Sequence, residues 1–170
     1  EVVSMASTIA FIMDPMEGIG VEADTSFAFM LAAQAQGQRV FHVSPGDISL
    51  HGADVSLTGK FVEVFDRQGG HFRVVEKARI WARDCHAIFI RTDPPFDEAY
   101  LTATWLLSFA ERQGVRIVNS PAGIRAANEK LYALEFAEHC PDTLITSNLD
   151  EVLTFLEAHG GAGIAKPLNG

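Results

Sequence analysis

The sequence predicts a doubly wound α/β fold, in which helices cover both faces of a mostly parallel β-sheet. Short, continuous apolar runs, typical of strands buried on both faces, alternate with segments whose apolar residues recur at helical spacing. Turns rich in Gly, Pro or Asn separate the two kinds of segment. The 170 residues, 48% hydrophobic and 21% charged, are enough for one full domain and the start of another.

The first three elements form a predicted strand–helix–strand unit. Residues 8–13 (TIAFIM) are an apolar run that an Asp-Pro pair ends, as expected for a buried strand. Thr25 and Ser26 are candidate N-caps for a helix that Gly37 ends. Residues 39–43 (RVFHV) predict a second strand, which a right-handed crossover places parallel to the first.

After the second strand the pattern changes. Alternating pieces at residues 60–66 and 71–75, with glycines around them, predict a β-hairpin. Residues 87–91 (AIFIR) are again a continuous apolar run and predict another buried parallel strand, and apolar residues at helical spacing follow over residues 101–114. A further strand is predicted over residues 115–118, before an Asn-Ser-Pro helix start.

The last fifty residues begin a new series of elements. Helices are predicted over residues 128–138 and 149–159, and strands over 143–146 and 163–166. Because the last of these strands would lie at an unprotected edge, with Gly170 in mid-turn, we expect the chain to be truncated.

Composition excludes several classes of function. A net charge of −9 with only 13 Lys and Arg residues disfavours a nucleic-acid partner, and no apolar run is long enough to cross a membrane. Cys85 and Cys140 lie far apart without metal-ligand spacing, so we expect reduced thiols and no metal bound through them. The N-terminus has no signal-peptide pattern, and Met5 is a candidate native start, so the sequence predicts a cytoplasmic protein.

The loops that follow the parallel strands are the predicted ligand-binding edge. In open α/β sheets ligands bind outside the carboxyl ends of the strands. That rule selects residues 14–26, 91–97 and 119–125, which should converge there.

A glycine motif in the first of these loops has two interpretations. Residues 18–23 match G-x-G-x-x-A, which would suggest a dinucleotide site and an oxidoreductase. The helix, however, is predicted to start near Ser26 and not at the second glycine, which favours a flexible loop over a pyrophosphate cradle.

Three cationic residues occupy positions where they could bind anions. Arg91 is the last residue of a predicted buried strand. It could bind a ligand carboxylate through two N–H groups, or it could form a surface salt bridge with Asp93 or Asp97. Lys130 lies in the opening turn of a predicted helix, and Lys166 at the end of a predicted strand.

Six short segments together resemble a known family. They occur in the order and approximate spacing of prokaryotic glutathione synthetases: FIMDP at 11–15, DTSFA at 24–28, RTDPPFD at 91–97, IVNSP at 117–121, NEKL at 128–131 and KPLNG at 166–170. The resemblance implies a Rossmann-like, pre-ATP-grasp substrate domain over residues 5–122, followed by the truncated beginning of an ATP-grasp domain over 123–170. It implies an ATP-dependent carbon–nitrogen ligase when full length, which joins γ-glutamylcysteine to glycine in glutathione biosynthesis. In this family ATP converts the cysteinyl carboxylate to an acyl phosphate, from which the glycine amine displaces phosphate.

The resemblance also implies roles for four residues. Lys130 and Lys166 match the lysines that contact the ATP phosphates, while Arg91 and Ser26 lie where the N-terminal domain faces the peptide. The family's glycine-rich loop and Mg²⁺ ligands follow the Lys166 segment and are missing here, so we expect the fragment alone to be inactive. Family members form homo-oligomers. Two alternatives remain open, a noncatalytic α/β module that binds a small anion and the oxidoreductase noted above.

Overall fold

The computed structural model describes residues 7–168, so the candidate start at Met5 and the last two residues of the KPLNG segment lie outside the described residues. The chain divides into two compact units between Ala126 and Ala127.

One sheet forms the centre of the first unit. Within the described residues it has seven strands: β1 (Thr8–Ile12), β2 (Arg39–Val43), β3 (Ile48–His51), β4 (Asp54–Val64), β5 (Phe72–Trp81), β6 (Cys85–Ile90) and β7 (Ile117–Val118). Their order is β3-β4-β2-β1-β6-β7, and β5 pairs with β4 outside this path.

The pairing confirms the parallel core and the hairpin that the sequence predicts. β1 pairs in parallel with β2 and β6, and β6 pairs in parallel with β7. β4 pairs antiparallel with β2, β3 and β5. The strand predicted over residues 115–118 is shorter than expected, since only Ile117–Val118 pair with β6.

Helices cover both faces of this sheet, as the fold prediction requires. The first unit contains α1 (Thr25–Ala35), α2 (Glu98–Arg112) and α3 (Pro121–Ala126). Because successive strand residues point to opposite faces, Phe11 joins a buried cluster with Phe27 of α1, while Ile12 joins a second cluster with Leu107 of α2. The continuous apolar run in β1 therefore serves two cores.

A glutamine side chain ties α1 to the end of β4. The side-chain amide of Gln34 donates from Nε2 to the Val64 carbonyl oxygen at 2.9 Å, and its Oε1 accepts from the Val64 amide at 2.8 Å. This pair satisfies both backbone groups of a buried residue.

The second unit departs from the sequence prediction. The helix predicted over residues 128–138 is divided into α4 (Glu129–Tyr132) and a 3₁₀ segment (Ala133–His139), with non-helical backbone at Phe136. The next helix, α5 (Leu149–Ala158), matches its prediction to within one residue.

The two strands predicted over residues 143–146 and 163–166 are wrong, because neither segment has strand structure. A strand needs a neighbour that accepts and donates its backbone hydrogen bonds. None of the pairings among the described residues involves the second unit. Apolar side chains there are correspondingly exposed, Leu149 at 69% and Ile164 at 89%.

A histidine directly after α5 contacts two hydrogen-bond acceptors in the second unit. His159 contacts the Phe155 carbonyl oxygen through Nδ1 at 2.7 Å and an Asp142 carboxylate oxygen through Nε2 at 2.9 Å. Both ring nitrogens face acceptors, so only the imidazolium donates to both. The hydrogen bond to Phe155, followed by that to Asp142, raises the pKa of His159 above its ordinary value.

We expect this contact to stabilise the second unit at low pH. Since the pKa is raised on folding, the contribution is fully present below about pH 6.5 and is lost as the pH rises through the folded-state pKa. An NMR titration should give His159 a pKa above the ordinary histidine value of about 6.5, and Asp142→Asn should lower it. A pKa for His159 at or below about 6.5 would contradict the prediction.

Candidate functional site

Strands β1, β2 and β6 end side by side and bring their following loops together. Ile12 pairs with Val43 on one side and with Ile90 on the other. The residues that follow β1 and β6 therefore start from adjacent points on the same sheet edge. This is the edge that the sequence selects as ligand-binding.

Arg91 is fixed at this edge by backbone and side-chain contacts. Its amide donates to the Ile12 carbonyl oxygen at 2.7 Å, which continues the ladder by one bond beyond β6. Its guanidinium donates from Nε to Ser26 Oγ at 2.9 Å and from Nη2 to Thr25 Oγ1 at 2.6 Å. The structure thus brings together Arg91 and Ser26, the two candidate substrate-binding residues.

The hydroxyls of Thr25 and Ser26 are available to Arg91 because neither caps α1, which corrects the predicted N-cap. Asp24 is the cap, and its carboxylate accepts from the amides of Ser26 at 2.7 Å and Phe27 at 3.0 Å. A carboxylate competes well for these amides because it carries a full charge beside the positive end of the helix.

The surface salt bridge left open for Arg91 does not form. No ion pair among the described residues includes Arg91, and Asp97 instead caps α2 by accepting from the Tyr100 amide at 2.8 Å. A guanidinium has five N–H donors. Nη1 of Arg91 has no hydrogen-bond partner within residues 7–168, so it can receive an anion at the sheet edge.

Asp14 holds the facing loop and was not selected as a site residue from the sequence. Its Oδ2 accepts from the Asp93 amide at 2.9 Å, and its carbonyl oxygen contacts His42 Nε2 at 2.9 Å. His42 is only 4% exposed, and this burial lowers its pKa, which keeps the ring neutral. A neutral ring that donates from Nε2 fits this contact.

Tyr100 lies within electrostatic reach of the same groups. Burial is the main cause that raises the pKa of its phenol, with smaller contributions from Asp14 and Asp93, while Arg91 opposes the rise. The Phe96 ring packs edge-on against Tyr100 with centroids 4.9 Å apart. This sheet edge therefore carries a guanidinium, two carboxylates, a phenol and the aromatic ring of Phe96.

The third predicted loop does not join this hydrogen-bonded cluster. Residues 119–125 follow β7, and Arg125 donates from Nη1 to Ser108 Oγ on α2 at 3.1 Å. The short β7 and the packing of α3 on α2 direct this loop toward the helix.

The glycine motif lies in a loop without close backbone approach. A Cβ at Gly18 or Gly20 would meet no atom within 4 Å, and α1 begins at Thr25, well after the second glycine. This loop and the tip of the β4–β5 hairpin border a cleft of about 620 Å³, bridged by the hydrogen bond from Gln68 to Glu22 at 3.0 Å.

In the second unit, Lys130 lies against the segment that contains Lys166. Lys130 Nζ is 3.4 Å from the Leu168 carbonyl oxygen and 3.1 Å from a Glu129 carboxylate oxygen. Asn128 Nδ2 is 3.3 Å from the same Leu168 oxygen, while its Oδ1 caps α4. Lys166 is exposed and does not end a strand. The two lysine-bearing segments nevertheless meet.

Helices among residues 7–168 are all too short or too polar to cross a membrane.

A family model described as the N-terminal domain of prokaryotic glutathione synthetase matches residues 8–125. Curated relatives match nearly the whole chain. The glutathione synthetase of Rhodopseudomonas palustris is 40% identical over 166 residues, which are 98% of this chain and 52% of the relative. The glutathione synthetases of Agrobacterium fabrum and Vibrio parahaemolyticus are 38% and 36% identical over 162 residues, 95% of this chain. The chain spans about half the length of these relatives.

Proposed function

This chain belongs to the prokaryotic glutathione synthetase family, and from that premise we propose that it carries the peptide-binding part of an ATP-dependent ligase. The reaction is the joining of γ-glutamylcysteine to glycine. One observation carries the proposal, namely that Arg91 is fixed by Thr25 and Ser26 with Nη1 donors left at the ligand edge. A guanidinium held in this way is suited to a carboxylate of the peptide.

Ligation requires an activated carboxylate, because a carboxylate is a poor electrophile. ATP supplies the phosphoryl group that converts the cysteinyl carboxylate to an acyl phosphate. Cations near the phosphates stabilise the charge on the transferring group. The work of the first unit is to bind and orient the peptide, which lowers the entropic cost of the reaction.

Lys130 and Lys166 fit the phosphate-binding role in this proposal. The contact of Lys130 with the Leu168 carbonyl oxygen supports it, because it brings the start of α4 and the Lys166 segment together. Ammonium groups bind phosphate as point charges. The Mg²⁺ ligands of the family would follow these residues, so the 170-residue chain alone is expected to bind peptide without turnover. The proposal extends to a cytoplasmic homo-oligomer, as in the family.

Calorimetric titration with γ-glutamylcysteine tests the proposal. We expect measurable binding by the 170-residue chain and a loss of about tenfold or more in Arg91→Ala, because charge-assisted hydrogen bonds contribute roughly 1.5–3 kcal/mol. Arg116→Ala removes the same charge from an exposed residue before β7 and should bind like the unaltered chain.

Parallel titrations with NAD⁺ and inorganic phosphate distinguish the alternatives. Tight binding of NAD⁺ would favour the oxidoreductase, and binding of phosphate without peptide would favour the small-anion module. Either result, with a folded chain by circular dichroism, would overturn the proposed function.

A further inference from the structure

The proposed substrate has two ends with different chemistry. The γ-glutamyl residue carries an α-ammonium and an α-carboxylate on one carbon, an amino acid head of opposite charges. The cysteinyl residue carries the single carboxylate that reacts. That carboxylate must lie at the transferring phosphoryl group, so another part of the protein has to recognise the head.

The sheet edge offers one fixed charge of each sign. Asp14 follows β1 and Arg91 follows β6, and their strands end in register at Ile12 and Ile90. We call Arg91 and Asp14 the edge pair. The two groups form no ion pair with each other within residues 7–168, so their charges remain available to a ligand.

Each member of the edge pair is held by hydrogen bonds and still has a polar atom without a partner among the described residues. Arg91 donates from Nε to Ser26 and from Nη2 to Thr25, and its Nη1 has no such partner. Asp14 Oδ2 accepts from the Asp93 amide, and Oδ1 has no such partner. Groups held in advance lose little entropy when a ligand binds.

The backbone beneath Asp14 is also fixed. The buried ring of His42, on the neighbouring strand β2, contacts the Asp14 carbonyl oxygen at 2.9 Å. The amide of Asp93, two residues after Arg91, donates to Asp14 Oδ2. This bond and the register of Ile12 with Ile90 place both charges at the same sheet edge. The pKa of the Tyr100 phenol is lowered by Arg91 and raised by Asp14, in keeping with that placement.

We propose that the edge pair binds the amino acid head of the γ-glutamyl residue, with Arg91 on its α-carboxylate and Asp14 on its α-ammonium. This inference rests on the proposed function and assigns the end of the peptide that the first unit recognises. A carboxylate beside a guanidinium selects a zwitterion over a simple anion, because a lone anion is repelled by Asp14.

Three analogues of γ-glutamylcysteine test the assignment by calorimetry. Glutarylcysteine lacks the α-ammonium, 4-aminobutyrylcysteine lacks the α-carboxylate, and γ-glutamylcysteine amide neutralises the cysteinyl carboxylate. We expect the first two to bind about tenfold or more weakly than γ-glutamylcysteine, because each leaves one charge of the site unpaired. The amide should bind within about threefold of the parent peptide.

Two variants assign each loss to its residue. Asp14→Asn keeps an oxygen acceptor for the Asp93 amide, and it should weaken the binding of γ-glutamylcysteine about tenfold. It should not weaken the binding of glutarylcysteine, because the substitution removes the repulsion between Asp14 and this anion. Arg91→Lys keeps the positive charge but loses the planar guanidinium that can bind a carboxylate through two N–H groups. It should weaken the binding of γ-glutamylcysteine and leave the binding of 4-aminobutyrylcysteine unchanged. Asp66→Asn, an exposed carboxylate in the β4–β5 hairpin, is the matched control and should bind like the unaltered chain.

The outcomes separate this inference from the proposed function. If the amide loses affinity while glutarylcysteine keeps it, the edge pair binds the cysteinyl carboxylate; the inference then fails and the proposed function stands. Equal affinity for all four peptides also overturns the inference alone. If the folded chain binds none of them, both fail.

Discussion

Replacing Phe27 with alanine lowers the free energy of unfolding by about 3–5 kcal/mol. The Phe27 side chain is fully buried on α1, where it packs in the same cluster as Phe11 of β1 and Met30. Truncation removes a large apolar surface from this core and leaves a cavity that the sheet cannot close. Urea unfolding followed by circular dichroism measures the change.

Phe29 provides a matched control on the same helix. Its side chain is 46% exposed, and its ring packs at a tilt against the Phe89 ring, with centroids 5.7 Å apart. Phe29→Ala should therefore cost no more than about 1 kcal/mol. Equal losses for Phe27→Ala and Phe29→Ala would contradict the assignment of α1's buried face. Because Ser26 adjoins Phe27, a folded Phe27→Ala chain should also bind γ-glutamylcysteine more weakly.

Replacing Gly59 with alanine is the second large effect, with an expected loss of about 2–3 kcal/mol of unfolding free energy. A Cβ built at Gly59 lies 2.2 Å from the His42 carbonyl oxygen and 3.1 Å from two atoms of the Phe41 ring. Backbone cannot give way as a flexible side chain does, so β4 must move away from β2. The smaller entropic gain of a Gly→Ala change, about 0.4–1 kcal/mol, does not offset this.

Gly18→Ala is the control for this prediction. A Cβ at Gly18 meets no atom within 4 Å, and its backbone lies outside the left-handed region. In thermal unfolding, the Gly18→Ala variant should be as stable as the unaltered chain or slightly more stable. If the Gly59→Ala variant is as stable as the Gly18→Ala variant, β4 does not approach β2 closely enough to exclude a side chain at residue 59.

Elements with strong local signals were predictable from the sequence. The apolar runs of β1 and β2, and the caps and spacing of α1 and α5, carry the period of their structure in consecutive residues. The first unit matched its predictions closely because each local preference agrees with the sheet that surrounds it. In the second unit the segment at 143–146 has the apolar pattern of a strand but no partner among the described residues.

Part of the candidate site was also visible in the sequence. The rule that ligands bind at the carboxyl ends of parallel strands selects the loops of Arg91 and Ser26, and the structure brings them into contact. Asp14 stood in a selected loop, and its position directly after β1 was a signal that could have identified it. The sequence predicts Thr25 and Ser26 as N-caps, whereas Asp24 caps α1 and the Thr25 hydroxyl accepts a hydrogen bond from Arg91.

By itself the sequence determined the fold class, the parallel pairing of β1 with β2 and the family, because each is written in short patterns or in motif order. Tertiary structure alone decided that His42 lies under Asp14 and that Gly59 approaches β2. It also decided that Arg91 shares its hydrogen bonds with α1 and not with its neighbouring aspartates. The physical reason is that these contacts join residues 17 to 79 positions apart, and only strand register and packing set their distances.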